Sequence, residues 1–131
     1  MDIGSVMSRA VLTVEPADSL REAAVLMFER GVGSAVVLVD GKPTGLITDR
    51  DALRAIAREA DLDSATVADY VSGKLITADP ETDVVEAARV MRERGFRHLV
   101  VVDEDGDLLG VFSMRDLVAG LLRERRSEAG V

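Results

Sequence analysis

The chain of 131 residues writes one unit twice. Residues 16–53, PADSLREAAVLMFERGVGSAVVLVDGKPTGLITDRDAL, superpose on residues 80–118, PETDVVEAARVMRERGFRHLVVVDEDGDLLGVFSMRDLV. The offset is about 64 residues, with one extra residue in the second hairpin turn. Thr13, Pro16, Glu22, Ala23, Ala24, Met27, Glu29, Arg30 and Gly31 recur as Thr77, Pro80, Glu86, Ala87, Ala88, Met91, Glu93, Arg94 and Gly95. Gly41, Gly45, Arg50 and Asp51 recur as Gly106, Gly110, Arg115 and Asp116. Roughly 16 of about 47 aligned positions are identical, where about four are expected by chance. The similarity reaches back to Ile3 and Val67, so little sequence is left for a separate catalytic or DNA-binding domain.

This repetition constrains the fold. A unit of about 55 residues buries too little apolar area to be comfortable alone. Two such units, each with a sheet face to cover, are expected to pack with pseudo-two-fold symmetry and leave two equivalent clefts between them. The expected division is 1–60 and 61–131, with the polar stretch 58–66, READLDSAT, joining the halves.

Each unit reads β-α-β-β-α, an α+β pattern. A short apolar segment (residues 10–14 and 74–78) is followed by a proline that ends it. Ser19 with Glu22, and Asp83 with Glu86, form capping-box patterns that open a helix. Leu20, Ala23, Ala24 and Met27 lie at helical spacing, as do Val84, Ala87, Ala88 and Met91, giving each helix one apolar face. Gly31 and Gly95 follow as left-handed C-caps. Next come two β-branched runs joined by DGKP or EDGD, the pattern of a hairpin. The near-continuous apolar runs predict strands covered on both faces. Second helices are expected to begin at Asp49 and Met114.

Composition narrows the functional classes. There is no cysteine and one histidine, His98, which excludes thiolate chemistry, disulfides and multi-histidine metal sites. The formal net charge of −8 argues against a duplex-binding surface. Aromatics at 3% offer no row of stacking platforms for single strands. No apolar run approaches the ~18 residues of a membrane span, and the start lacks the pattern of a signal peptide. A soluble cytoplasmic protein is expected. No nucleophile elbow and no phosphate-binding Gly-x-x-x-x-Gly-Lys loop is present, so no enzyme activity is expected.

The sharpest constellation is GLITDRDAL, carrying Thr48, Arg50 and Asp51, with its repeat GVFSMRDLV, carrying Ser113, Arg115 and Asp116. In each, a strand ends in a hydroxyl residue where a helix starts, and an aspartate follows three residues later. That is a helix cap with an acidic third residue. The same carboxylate can accept hydrogen bonds from the two hydroxyls of a ribose, and the helix start favours phosphate. The two roles are compatible. For Arg50 and Arg115, surface ion pairing and phosphate contact are both open.

With these residues in register, the chain resembles the tandem CBS (cystathionine β-synthase type) domain pair over nearly its whole length. The resemblance rests on Pro16/Pro80, the EAA helices at Glu22 and Glu86, Gly31/Gly95, GLITDRD, GVFSMRD and the run RHLVVVDEDGDLLG. It implies a pair that binds an adenosine-containing ligand, such as AMP, ADP, ATP or S-adenosylmethionine, in clefts between the repeats. It also implies a regulatory role, exercised through a homodimer or a partner protein, with no required cofactor. Carried over by position, Thr48 and Asp51 would hold the phosphate and ribose side of one site, and Ser113 and Asp116 that of the other. Leu12 and Thr13, or Ile76 and Thr77, resemble adenine-pocket residues. Arg97 and His98 resemble positions that point at phosphates, with either cleft open to them and a hydrogen-bonded structural role for His98 equally open. Their counterparts Gly33 and Ser34 carry no charge, which makes the two sites unequal. The rival expectation is a structural or protein-interaction pair whose clefts hold no ligand.

Overall fold

The computed structural model describes residues 1–71 and 75–128. Two compact units divide the chain. One is Val11–Leu75; the other joins Met1–Ala10 to the chain from Ile76 onward.

The first-repeat unit contains β1 (Thr13–Val14), α1 (Leu20–Arg30), β2 (Ser34–Val39), β3 (Lys42–Thr48), α2 (Asp49–Ala57) and the short α3 (Val67–Tyr70). Its sheet has the order β1-β2-β3, the first pair parallel and the second antiparallel. The second-repeat unit contains a 3-10 turn (Ile3–Ser5), β4 (Thr77–Ala78), α4 (Val84–Arg94), β5 (His98–Val102), β6 (Leu108–Ser113) and α5 (Met114–Glu128). Its sheet has the order β4-β5-β6 with the same pairing senses. The β-α-β-β-α reading therefore holds in both units, and the second helices begin at Asp49 and Met114 as expected.

Local chemistry explains the elements. Gly31 and Gly95 end α1 and α4 at φ 64° and 70°, a left-handed conformation that costs glycine little. Asp40 and Gly41 both have positive φ between the paired ends Val39 and Lys42, the tight turn an Asp-Gly pair favours. Ala35, Val36 and Val37 are all buried, as are Leu99, Val100 and Val101, so both faces of β2 and of β5 are covered. Apolar side chains of α1 and α4, including Leu20, Met27, Val84 and Met91, close onto one face of each sheet.

Some expectations change. Regular pairing in the leading strands is limited to Thr13–Val14 and Thr77–Ala78, because only these residues run parallel to the neighbouring strand. Lys74, the first residue of the expected segment 74–78, lies outside the described residues. The capping boxes of α1 and α4 are one-sided. Ser19 Oγ accepts from Glu22 N–H and Asp83 Oδ2 from Val85 N–H, but Glu86 turns outward to pair with Arg89. The stretch 58–66 is more than a polar joiner: Ala65 is buried in the first-repeat core.

The leading segment of each repeat completes the unit built on the other repeat. Ile3, fully buried, enters the second-repeat core, its N–H bonded to the Thr82 carbonyl at 2.8 Å. Ser8 exchanges two backbone hydrogen bonds with Val111, each 2.9 Å. Val67, also fully buried, enters the first-repeat core, its N–H bonded to the Asp18 carbonyl at 2.9 Å. Each small sheet thereby gains apolar cover that its own helices do not supply.

Candidate functional site

The two strand-to-helix corners have the same construction. At the end of β3, Thr48 is extended (φ −124°, ψ 166°), and α2 starts at the next residue. Asp51 Oδ2 accepts from Thr48 N–H at 2.8 Å and from the Thr48 hydroxyl at 3.1 Å. Thr48 Oγ1 in turn accepts from Asp51 N–H at 3.4 Å. At the end of β6, Asp116 Oδ2 accepts from Ser113 N–H at 2.8 Å and the Ser113 hydroxyl at 3.0 Å, and Ser113 Oγ accepts from Asp116 N–H at 3.3 Å. The cap is thus complete in both corners. In each, one carboxylate oxygen is spent on it and the other is turned away from it.

The corners differ beyond the cap. Asp51 is the one buried charged residue among the described residues, with 5% of its surface exposed. Its Oδ1 lies 3.2 Å from a guanidinium nitrogen of Arg54. The same nitrogen donates to the Tyr70 carbonyl at 2.8 Å, and the guanidinium sits 5.8 Å from the centre of the Tyr70 ring, within cation–π range. Asp116 is half-buried, and among the described residues no cation pairs with it.

Strand register assembles the neighbouring candidates. His98 stands opposite Ser113 in the antiparallel ladder, and the Arg97 carbonyl accepts from Met114 N–H at 3.2 Å. Arg97 and His98 therefore belong to the Ser113–Asp116 corner. In the first-repeat unit, Ser34 stands opposite Thr48 and the Gly33 carbonyl accepts from Asp49 N–H at 3.0 Å. The same backbone frame is present there without charge.

Thr13 and Thr77 are exposed on β1 and β4, one strand beyond β2 and β5. They lie two strand spacings, about 10 Å, from the strands that carry Thr48 and Ser113. Leu12 is not brought to the surface. Its side chain joins the first-repeat core and its carbonyl accepts from Val36 N–H at 2.9 Å. Ile76 is half-buried against the second-repeat core. Arg50 and Arg115 are exposed on the first turns of α2 and α5, and neither makes an ion pair among the described residues.

Arg54 and Tyr70 are site residues that the sequence reading missed. The available signal was a difference between repeats: Ala119 and Val6 occupy the aligned positions. Asp103, Asp105 and Asp107 cluster in the β5–β6 turn, where Asp103 Oδ1 accepts from the N–H groups of Asp105 and Asp107. Among the described residues, no helix is long and apolar enough to cross a membrane.

Comparisons with known proteins agree with this architecture. The CBS-domain family model matches residues 3–58 and 67–123. An uncharacterized protein of Methanopyrus kandleri is 32% identical over 120 residues, which cover 90% of this chain and 61% of that protein. A CBS domain protein of Pyrobaculum aerophilum, solved in complex with AMP, is 30% identical with a TM-score of 0.81, covering 88% of this chain and 89% of that one. CBSX2 of Arabidopsis thaliana, also solved in complex with AMP, is 27% identical with a TM-score of 0.84, covering 95% and 98%. The chain carries two CBS domains and belongs to the CBS domain family.

Proposed function

We propose that this chain is a regulatory module that binds an adenosine-containing ligand, with AMP the first choice, and signals by occupancy rather than by catalysis. The observation that carries this reading is the strand-to-helix corner. There a capped aspartate keeps one carboxylate oxygen directed away from the cap, beside the N-terminus of a helix. Such a carboxylate suits a ribose diol, and the helix N-terminus suits a phosphate. The AMP complexes of the Pyrobaculum and Arabidopsis relatives support the choice of ligand.

Signalling follows from differential affinity: a ligand that binds one conformation better shifts the population toward it. A second copy of the chain is the natural reader. Large apolar residues stand exposed on the helices of both units: Val25, Phe28, Leu53 and Ile56 in one, Val85, Val118 and Leu122 in the other. A two-fold interface uses each such residue twice.

The test is thermal unfolding with AMP, ADP, ATP and S-adenosylmethionine. A ligand at about 100 times its dissociation constant adds roughly 2.7 kcal/mol. That is a rise of several degrees for a chain of this size. No shift with any of the four removes the nucleotide reading and leaves a structural pair.

A further inference from the structure

We infer that Arg54 is an internal competitor for the ribose diol, so that the Ser113–Asp116 corner is the principal nucleoside site and the Thr48–Asp51 corner is held closed. The inference rests on the adenosine-ligand reading and adds which corner binds and what decides it.

A carboxylate that receives both hydroxyls of a ribose must have acceptor capacity facing the ligand. Asp51 has little to offer. Its Oδ2 is taken by the Thr48 N–H and hydroxyl, and its Oδ1 faces the Arg54 guanidinium at 3.2 Å. Arg54 is itself fixed from a second side by the Tyr70 carbonyl at 2.8 Å and by the face of the Tyr70 ring. A diol entering this corner must displace a cation from a buried carboxylate. A neutral hydroxyl is a weaker partner for a carboxylate than a guanidinium is.

The second-repeat unit lacks the two side chains of this lock. One turn beyond Asp116 stands Ala119, exposed on α5, where α2 has Arg54. The residue aligned with Tyr70 is Val6, which has no ring to hold a guanidinium. Asp116 retains the same hydrogen bonds to Ser113, and among the described residues no cation pairs with it. The cap is therefore conserved between the two corners, while the acceptor is open in one and occupied in the other.

Calorimetric titration with AMP, with 2′-deoxy-AMP as the diol control, tests this. The wild-type chain is expected to bind one AMP per chain, with affinity falling at least tenfold for 2′-deoxy-AMP. Ala119→Arg, an exposed position at the same i,i+3 spacing from the aspartate, should cut AMP affinity tenfold or more. Arg54→Leu should raise the stoichiometry to two. Two equal wild-type sites would overturn the inference, as would AMP binding that ignores Ala119→Arg or a folded Arg54→Leu that stays at one site. Loss of AMP binding in a folded Arg54→Leu would make Arg54 a phosphate ligand and also overturn it. A wild-type chain that binds no AMP fails differently, taking down the adenosine reading itself.

Discussion

His98 and Ser113 face each other directly across the antiparallel β5–β6 ladder, so their side chains leave the sheet on the same face. Ser113 caps α5 and holds Asp116, so His98 and Asp116 are both neighbours of Ser113. From there the imidazole suits the phosphate end of a nucleotide better than the base. His98→Ala should weaken AMP binding roughly tenfold to a hundredfold, the range for a charge-assisted hydrogen bond. The loss for adenosine should be smaller. Titrating both ligands gives the ratio; equal losses would make His98 a structural residue rather than a phosphate contact.

Packing of the leading segment gives a prediction about stability. A Cβ on Gly110 would lie 2.5 Å from the Ser8 carbonyl oxygen and 2.9 Å from the Met7 sulfur. Met7 can move, but the Ser8 backbone is pinned by its paired hydrogen bonds to Val111. Gly110→Ala should cost about 1–3 kcal/mol, the usual penalty for overpacking. At Gly33, a Cβ would meet only the end of the Asp49 side chain at 3.3 Å, which can swing aside. Gly33→Ala should stay within about 0.5 kcal/mol. Chemical denaturation of the two variants separates them, and equal stabilities would refute the account of the segment.

The repeat, the helix starts and the hairpins were legible because each depends on local rules. Ser19, Asp83, Gly31, Gly95 and the Asp40-Gly41 turn act through their own backbone neighbours. The exchange of leading segments was not legible, because Ile3 and Val67 look alike in sequence and nothing local says which sheet each one covers. The family resemblance places Leu12 at an adenine pocket; that its side chain joins the first-repeat core depends on strand register, which a two-residue strand does not reveal. The Thr48 and Ser113 corners were visible as patterns. The lock on Asp51 was hidden, since it joins Arg54 to Tyr70, 16 residues apart in sequence.

Acid should weaken α4. Asp83 caps the helix, and its carboxyl is held below the usual aspartate range, chiefly by the Val85 N–H and against a smaller opposing effect of burial. A lowered pKa means that the charged form is favoured in the folded state. Its stabilisation is therefore present above the unfolded aspartate value of about 3.9 and is lost as the pH falls through the lower folded value. Asn keeps the capping geometry without the charge. Melting curves between pH 6 and pH 3 should show wild type above Asp83→Asn at the upper end, with the gap closing as acid is added. A constant gap would remove the charge from the explanation.

Phe28 provides the test of self-association. It is 88% exposed on α1 and borders a groove of about 370 Å³ with Leu20, Ala24, Val25, Ile56 and Leu62. In the second-repeat unit the positions aligned with Val25 and Phe28 are Arg89 and Arg92, so the corresponding face of α4 carries cations in place of these two apolar side chains. Burying a phenylalanine side chain is worth about 1.5–3 kcal/mol, and a two-fold interface counts it from both copies. Phe28→Asp removes that gain and sets a carboxylate in an apolar groove, a burial that itself costs free energy. The variant should dissociate at least a hundredfold more readily than wild type while retaining the wild-type circular dichroism spectrum. Sedimentation equilibrium across a concentration series reads both constants. A wild-type chain that stays monomeric at high concentration would refute self-association through this groove.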